Sequence, residues 1–410
     1  MADPQRPTWV DGAAGGPYDA DNLPYAVFSR GDDPPRVGVR VGDQVVDLAP
    51  LAAADMLEHG EVFGAPTLAP LMTLGREAWS SLRGWLVELL TDPDDRPAVE
   101  PWLLPLDDVR LSLPFEVADY VDFYCSLHHA RRVGEIFRPG SDPLPPSWRQ
   151  LPTGYHGRAG TLVVSGTRVE RPRGLRAADG DGHPEYGPTR RLDFEAELAF
   201  AVGVPTSPGQ RVPPSGLADH VFGVLLLNDW SARDIQAYES VPLGPFLGKA
   251  FATSVSAWVT PLAALSAARV PLPGQQPPPA PHLAVDDPAG LDVDIEIGCN
   301  GAVLARVPYA AMYWSPAQML AHLTSGGARL RTGDLFASGT VSGPEPERRG
   351  CLLELTWGGR QPVTLPDGSR RSWLDDGDEI VLTATAPGAL GGRIALGEVR
   401  GRIDPVRVAQ

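Results

Sequence analysis

Apolar and polar residues alternate from Leu192 to Phe200 (LDFEAELAF), the pattern of a β-strand whose successive side chains point to opposite faces. Asp193, Glu195, Glu197 and Ala199 share one face; Phe194, Ala196, Leu198 and Phe200 share the other and read as core. At a strand rise of ~3.3 Å per residue, neighbouring carboxylates lie about 6.5 to 7 Å apart. Each such pair repels by roughly 2 kcal/mol at an effective dielectric near 20, against about 0.6 kcal/mol in bulk water. Two readings stay open: a strand with one face in water, or a partly enclosed site in which a cation offsets the repulsion.

Elsewhere the pattern changes with position. The apolar run Tyr25 to Phe28 precedes RVGVRV and QVVDL, which Gly42 and Asp43 join as a β-hairpin. From Ala49 to about Leu90, Leu51, Met56, Leu57, Leu71, Trp79, Leu82, Trp85 and Leu86 recur at helical spacing. The acidic, proline-containing stretch Thr91 to Pro101 reads as a linker. A boundary near 110 to 115 divides the chain into domains of residues 1–114 and 115–410.

The second domain opens with DYVDFYCSLHHARRVG, in which Asp122 and Tyr124 share a strand face and His128 and His129 follow. The simpler reading of either histidine is a hydrogen-bonded structural residue. Residues Gly154 to Gly166 read as a turn feeding an apolar strand. Ala178 to Gly187 is a loop whose Asp179 and Asp181 lack EF-hand spacing. Val221 to Leu227 looks buried on both faces, and Asp229, at its C-terminal end, is costly there unless paired or bound to a metal. VPLGPFLGK is not a phosphate loop: Gly244 and Gly248 enclose three residues where four are needed, and Ala250 follows Lys249. The proline-rich Val270 to His282 is an extended excursion, Gly327 to Gly343 a turn between β elements, and CLLELTW an apolar strand holding Glu354. Asp375 to Glu379 reads as a hairpin turn between SWL and IVLTAT.

The 410 residues favour two domains, and 45 Gly with 44 Pro favour many turns around a largely β framework. No apolar run approaches the ~18 residues of a spanning helix, and the opening MADPQRPTWVDG has no apolar export core. Cys125, Cys299 and Cys351 have no CxxC spacing, so a reducing cytoplasm is expected. A formal charge of −16 argues against nucleic-acid or membrane partners, though not against a small anion in a local basic pocket.

Six segments, DYVDFYCSLHHA, LPTGYHGRAG, LDFEAELAF, LNDWSARDIQ, VPLGPFLGKAF and ASGTVSG, together closely resemble the fumarylacetoacetases. These hydrolases split fumarylacetoacetate into fumarate and acetoacetate at the end of tyrosine and phenylalanine catabolism. The resemblance implies a mainly β (α+β) fold, an N-terminal SH3-like barrel followed by a mixed β-roll catalytic domain, in a homodimer. It implies metal ligands at Asp122, Glu195, Glu197 and Asp229, with Lys249 and Thr253 at a second, Mg²⁺ position, while Asp193 stays a structural acid. An all-carboxylate set suits Ca²⁺ or Mg²⁺.

The resemblance also implies that His129, not His128, is the general base and Glu354 its orienting carboxylate. Arg233, Gln236 and Lys249 would surround the developing charge, and Tyr124, Arg138, Tyr155, Gln236 and Thr340 would contact a small diketo-acid substrate, Arg138 at a terminal carboxylate. Ser240 departs from the pattern, standing where the family has a substrate-contacting Tyr, which suggests a relaxed or shifted acyl preference. The alternatives are another superfamily enzyme (an acylpyruvate hydrolase, a decarboxylase or a dienoate isomerase) and a metal-binding protein without catalysis. Retention of both His129 and Glu354 weighs against the last.

Overall fold

In the computed structural model, which describes residues 6–178 and 182–407, the expected hairpin is the centre of a five-stranded antiparallel sheet. Its strand order is Leu103–Pro105, Gln44–Asp47, Arg36–Val41, Tyr25–Ser29, Arg110–Leu111. Gly42 turns the hairpin with a positive φ of 55°, a conformation that costs glycine nothing. The helices Leu48–Ala54, Ala69–Thr73 and Arg76–Thr91 follow where helical spacing placed them.

The stretch from Thr91 to Pro101 is not a linker. It folds into three short helical turns, and Val99 is fully buried. The prolines misled: Pro93, Pro97 and Pro101 each stand in the first turn of a helical segment, where a missing N–H breaks no bond.

The rest of the chain is built on a mixed eight-stranded sheet. Its main order is Gly154–His156, Asp119–Phe123, Asp334–Ala337, Ala196–Val202, Val221–Asp229, Thr253–Val255, Leu162–Val164. Neither face of its central strands Ala196–Val202 and Val221–Asp229 meets water. Leu198, Phe200, Val224 and Leu226 face a core shared with Ile295, Ile297, Leu382 and Val399 of a second, five-stranded sheet. Their neighbours Ala199, Ala201, Leu225 and Leu227 face a core shared with Val27, Val39, Leu82 and Leu86 of the N-terminal part. The reading of the acidic strand with one face in water is therefore excluded.

That strand is also interrupted. Leu192–Asp193 pairs with Ser231–Ala232, whereas Ala196–Val202 pairs with Val221–Asp229. Between them the backbone N–H groups turn to side chains: Phe194 N donates to Asp193 Oδ1 (2.8 Å) and Glu195 N to Asn228 Oδ1 (3.1 Å). CLLELTW is no strand either. Leu352–Leu355 is a helical turn, because Leu352 N and Leu353 N donate to the Asp193 carboxylate (2.7 and 3.0 Å), which caps it.

Smaller expectations resolve in the same way. Gly327 to Gly343 contains the strand Asp334–Ala337, and the turn from Asp375 leads into Glu379–Pro387, although SWL before it is not a strand. Glu185–Pro188 pairs with Arg173–Arg176, so the end of the Ala178 to Gly187 loop is strand; Asp179 and Asp181 lie outside the described residues. All three cysteines are free and buried. Among the described residues, no helix is long and apolar enough to cross a membrane.

Candidate metal and catalytic site

Three strands of the mixed sheet, with the interruption before one of them, bring four acids to one point. Asp122 lies near the end of Asp119–Phe123, Glu195 at the strand interruption, Glu197 just beyond it, and Asp229 at the end of the buried strand Val221–Asp229. In register, Asp122 and Ala199 both pair with Ala337, while Glu197 pairs with Leu227, two residues from Asp229. One carboxylate oxygen from each of Asp122, Glu195, Glu197 and Asp229 lies within 4.8 Å of the others, and all four residues are buried.

Several donors are already in place. Lys249 Nζ contacts Glu195 Oε2 and lies 2.5 Å from Asp229 Oδ2. Thr253 Oγ1 donates to Asp229 Oδ1 (3.0 Å), Tyr155 OH to Asp229 Oδ2 (3.2 Å), and Arg233 Nη2 to Glu195 Oε1 (2.7 Å). Gly339 N donates to Glu197 Oε2 (3.0 Å). That residue has a φ of +73°, and a Cβ there would stand 2.1 Å from Phe123 O, so only glycine brings this N–H so close.

The donors do not suffice. Asp122 Oδ1 and Glu197 Oε1 are buried without a hydrogen-bond partner. Burial first, then the neighbouring carboxylates, push the carboxyls of Asp122 and Glu197 well above their ordinary range, and Asp229 is raised mainly by burial. Glu195 is the exception: Lys249, Arg233 and His129 outweigh its burial and hold it low. The same carboxylates hold Lys249 and Arg233 protonated despite burial. Two unpartnered oxygens in an all-oxygen cluster of excess negative charge fit a hard divalent cation, held by Asp122, Glu195, Glu197 and Asp229.

Beside this cluster lies a second group. His129 is in the first turn of the helix Leu127–Phe137, which Ser126 caps by accepting His129 N (3.2 Å). Its Nδ1 lies 2.6 Å from Glu354 Oε2, and its Nε2 lies 4.0 Å from Glu195 Oε1. Glu354 also accepts from Ser342 Oγ (2.7 Å) and Arg132 Nη1 (3.1 Å). Burial would raise the Glu354 carboxyl, but His129, Ser342 and Arg132 together hold it down to about 2. The Glu354 carboxylate orients the imidazole, so that Nδ1 faces Glu354 and Nε2 faces the carboxylate cluster.

The other expected residues divide. The Tyr124 ring packs edge-on to His129 with centroids 5.3 Å apart, and Gln236 Oε1 accepts from Arg233 Nη1 (3.2 Å). Thr340 is buried with an unpartnered Oγ1. Arg138 is exposed at the C-terminus of the His129 helix and donates to Pro143 O (2.8 Å); among the described residues it makes no ion pair with the cluster. His128 is half-buried and donates nothing to Glu354. Ser240 ends the helix Arg233–Glu239, its hydroxyl bonded to Gln236 O.

Three contributors were not expected. Arg132 and Ser342 hold Glu354, and Tyr120 places a buried, unpartnered hydroxyl near the acids. For Arg132 a signal existed, since it stands three residues after His129, on the same face of the helix.

Residues 119–403 match the family model for fumarylacetoacetate hydrolase, C-terminal, and residues 21–114 match that for fumarylacetoacetase, N-terminal. Fumarylacetoacetase of Homo sapiens is 44% identical over 400 residues, covering 94% of this chain and 95% of that one. Its counterpart in Oryza sativa is 40% identical over 419 residues, covering 97% of each. The structure of a fumarylacetoacetate hydrolase from Exiguobacterium antarcticum, 19% identical, superposes with a TM-score of 0.55 over 94% of this chain and 100% of that one, a likeness of fold. With both matches in chain order and such relatives along nearly its whole length, the chain belongs to the fumarylacetoacetate hydrolase family.

Proposed function

We propose that the protein hydrolyses the carbon-carbon bond of 4-fumarylacetoacetate to fumarate and acetoacetate. The observation that carries this is the His129–Glu354 pair, whose Nε2 faces the carboxylate cluster. When bound by Asp122, Glu195, Glu197 and Asp229, Ca²⁺ or Mg²⁺ supplies a Lewis acid that polarises carbonyl oxygens. Lys249 and Thr253 would border a second Mg²⁺ when one is bound.

The protein's own groups do the rest. His129 Nε2 takes a proton from water, and Glu354 stabilises the imidazolium. The hydroxide equivalent adds to the ketone carbon, and collapse of the tetrahedral oxyanion releases one carboxylic acid and the acetoacetate carbanion. Imidazolium returns its proton to that carbon. Arg233 and Lys249, both protonated, and Gln236 supply donors to the developing charge. Tyr124, Tyr155 and Thr340 line the substrate position, and Arg138 pairs with a substrate carboxylate.

The relatives that span 94% and 97% of the chain favour this substrate over an acylpyruvate. The same reading takes residues 1–114 as an SH3-like module, residues 115–410 as the hydrolase domain, and the protein as a cytoplasmic homodimer. Loss of diketone absorbance on adding purified protein to fumarylacetoacetate, with and without chelator, tests it. Undiminished turnover by protein shown to be metal-free would refute the metal's role.

A further inference from the structure

We propose that Asp193 is a positioning residue that holds the metal ligand Glu195 and the base-orienting Glu354 in one frame. The role rests on the functional reading above but goes beyond it, since that reading leaves Asp193 a structural acid. Its carboxylate is wholly buried, and four donors fill it. Oδ1 accepts Phe194 N (2.8 Å) and Leu352 N (2.7 Å); Oδ2 accepts Leu353 N (3.0 Å) and Arg233 Nε (2.8 Å).

Three of these bonds lead to opposite halves of the chemistry. Through Arg233, whose Nη2 reaches Glu195 Oε1 at 2.7 Å, Asp193 fixes the orientation of a metal ligand. Through Leu352 N and Leu353 N it caps the helical turn Leu352–Leu355 and so aims Glu354 at His129 Nδ1, 2.6 Å away. His129 Nε2 then returns to Glu195 Oε1 at 4.0 Å, which closes a ring. An asparagine has one acceptor oxygen in place of two and carries an NH₂ that opposes either the guanidinium or the helix N–H groups. Without the counter-charge, Arg233 leans entirely on Glu195 and competes there with a cation. Without the cap, Glu354 loses its aim.

The test is Asp193→Asn, read in two ways. Titration calorimetry with Ca²⁺ alone, or Mg²⁺ where the wild type binds it more tightly, should show affinity weakened about tenfold. At saturating metal and well below the melting temperature, kcat on fumarylacetoacetate should fall about 10- to 100-fold with KM little changed. In a Glu354→Gln background the further loss in kcat should be small, because the two residues act through one contact. A purely structural Asp193 would lower the melting temperature alone. Wild-type metal affinity, wild-type kcat, or a fully additive loss in the double variant overturns the proposal. If Asp193→Asn does not fold, Asp193→Ser, which is smaller and cannot overfill the site, is read by the same criteria. If the wild type itself does not turn over fumarylacetoacetate, the functional reading has failed, and the metal titration alone decides the role of Asp193.

Discussion

Glu354 and Glu197 are both fully buried glutamates of one candidate site, and their surroundings drive them in opposite directions. Glu354 has donors on both oxygens, and they hold its carboxyl down to about 2. Glu197 receives one backbone N–H, has an unpartnered second oxygen, and faces three other acids; its carboxyl is pushed well up by burial and then by those neighbours. Burial is common to both, so the donor count separates them. One region is complete as folded; the other is completed by a ligand.

The largest expected effect comes from completing or emptying that second region. Stripping divalent ions should abolish turnover and lower the melting temperature at pH 7, because the acids then repel one another. Since Asp122 and Glu197 are raised in the folded state, the metal-free protein should gain stability as pH falls from 7 toward the unfolded carboxyl range near 4. Glu354 acts with the opposite sign: its contribution is complete above about 4.5 and is lost as pH falls toward about 2. Calorimetric melting of metal-free protein should therefore show a stability maximum on the acid side of neutrality. A monotonic fall from pH 7 would break the contrast.

Next is the proposed catalytic pair. His129→Ala should lower kcat by roughly 10² to 10⁴ with metal content retained. His128→Ala should be mild, and Glu354→Gln should come close to His129→Ala, the double variant being little worse than the worse single one. Additive losses, or a larger loss at His128, would move the base elsewhere.

The contrast itself is sharpened by two isosteric changes. In metal-free protein at pH 7, Glu354→Gln should destabilise by about 3 kcal/mol, since it leaves buried donors facing a neutral amide. Glu197→Gln should leave the metal-free melting temperature unchanged or higher while weakening metal binding. Equal destabilisation by both would mean that donor count is not what divides them. The smallest effect is expected of Ser240→Tyr, a several-fold lower KM with kcat nearly constant if the aromatic contact is uniform binding. An unchanged KM would mean that a neighbour such as Tyr238 already fills the space.

What was legible in the sequence was whatever repeats with a period. The acid row at Glu195 and Glu197 follows from alternation, the hairpin around Gly42 from alternation and its Gly-Asp turn, and the buried strand from the continuous apolar run Val221 to Leu227. The interruption at Phe194 and Glu195 did not, because it arises where Asp193 and Asn228 capture backbone N–H groups, one of them for a segment about 160 residues away. For the same reason Leu352–Leu355 read as a strand: its cap lies on Asp193, outside any local window. The partnership of His129 with Glu354, 225 residues apart, came from family likeness and not from periodicity.

The sheet whose alternate residues face two different cores has a consequence for biosynthesis. Its one face, Ala199, Ala201, Leu225 and Leu227, is the wall on which the N-terminal strands and helices close. Those N-terminal residues leave the ribosome before their wall has been translated. Until then Val27, Val39, Leu82 and Leu86 have only the other N-terminal members of that core, such as Val10, Phe63 and Leu71, to exclude water, and a chain arrested between them and Leu225 presents an open apolar surface to the cell.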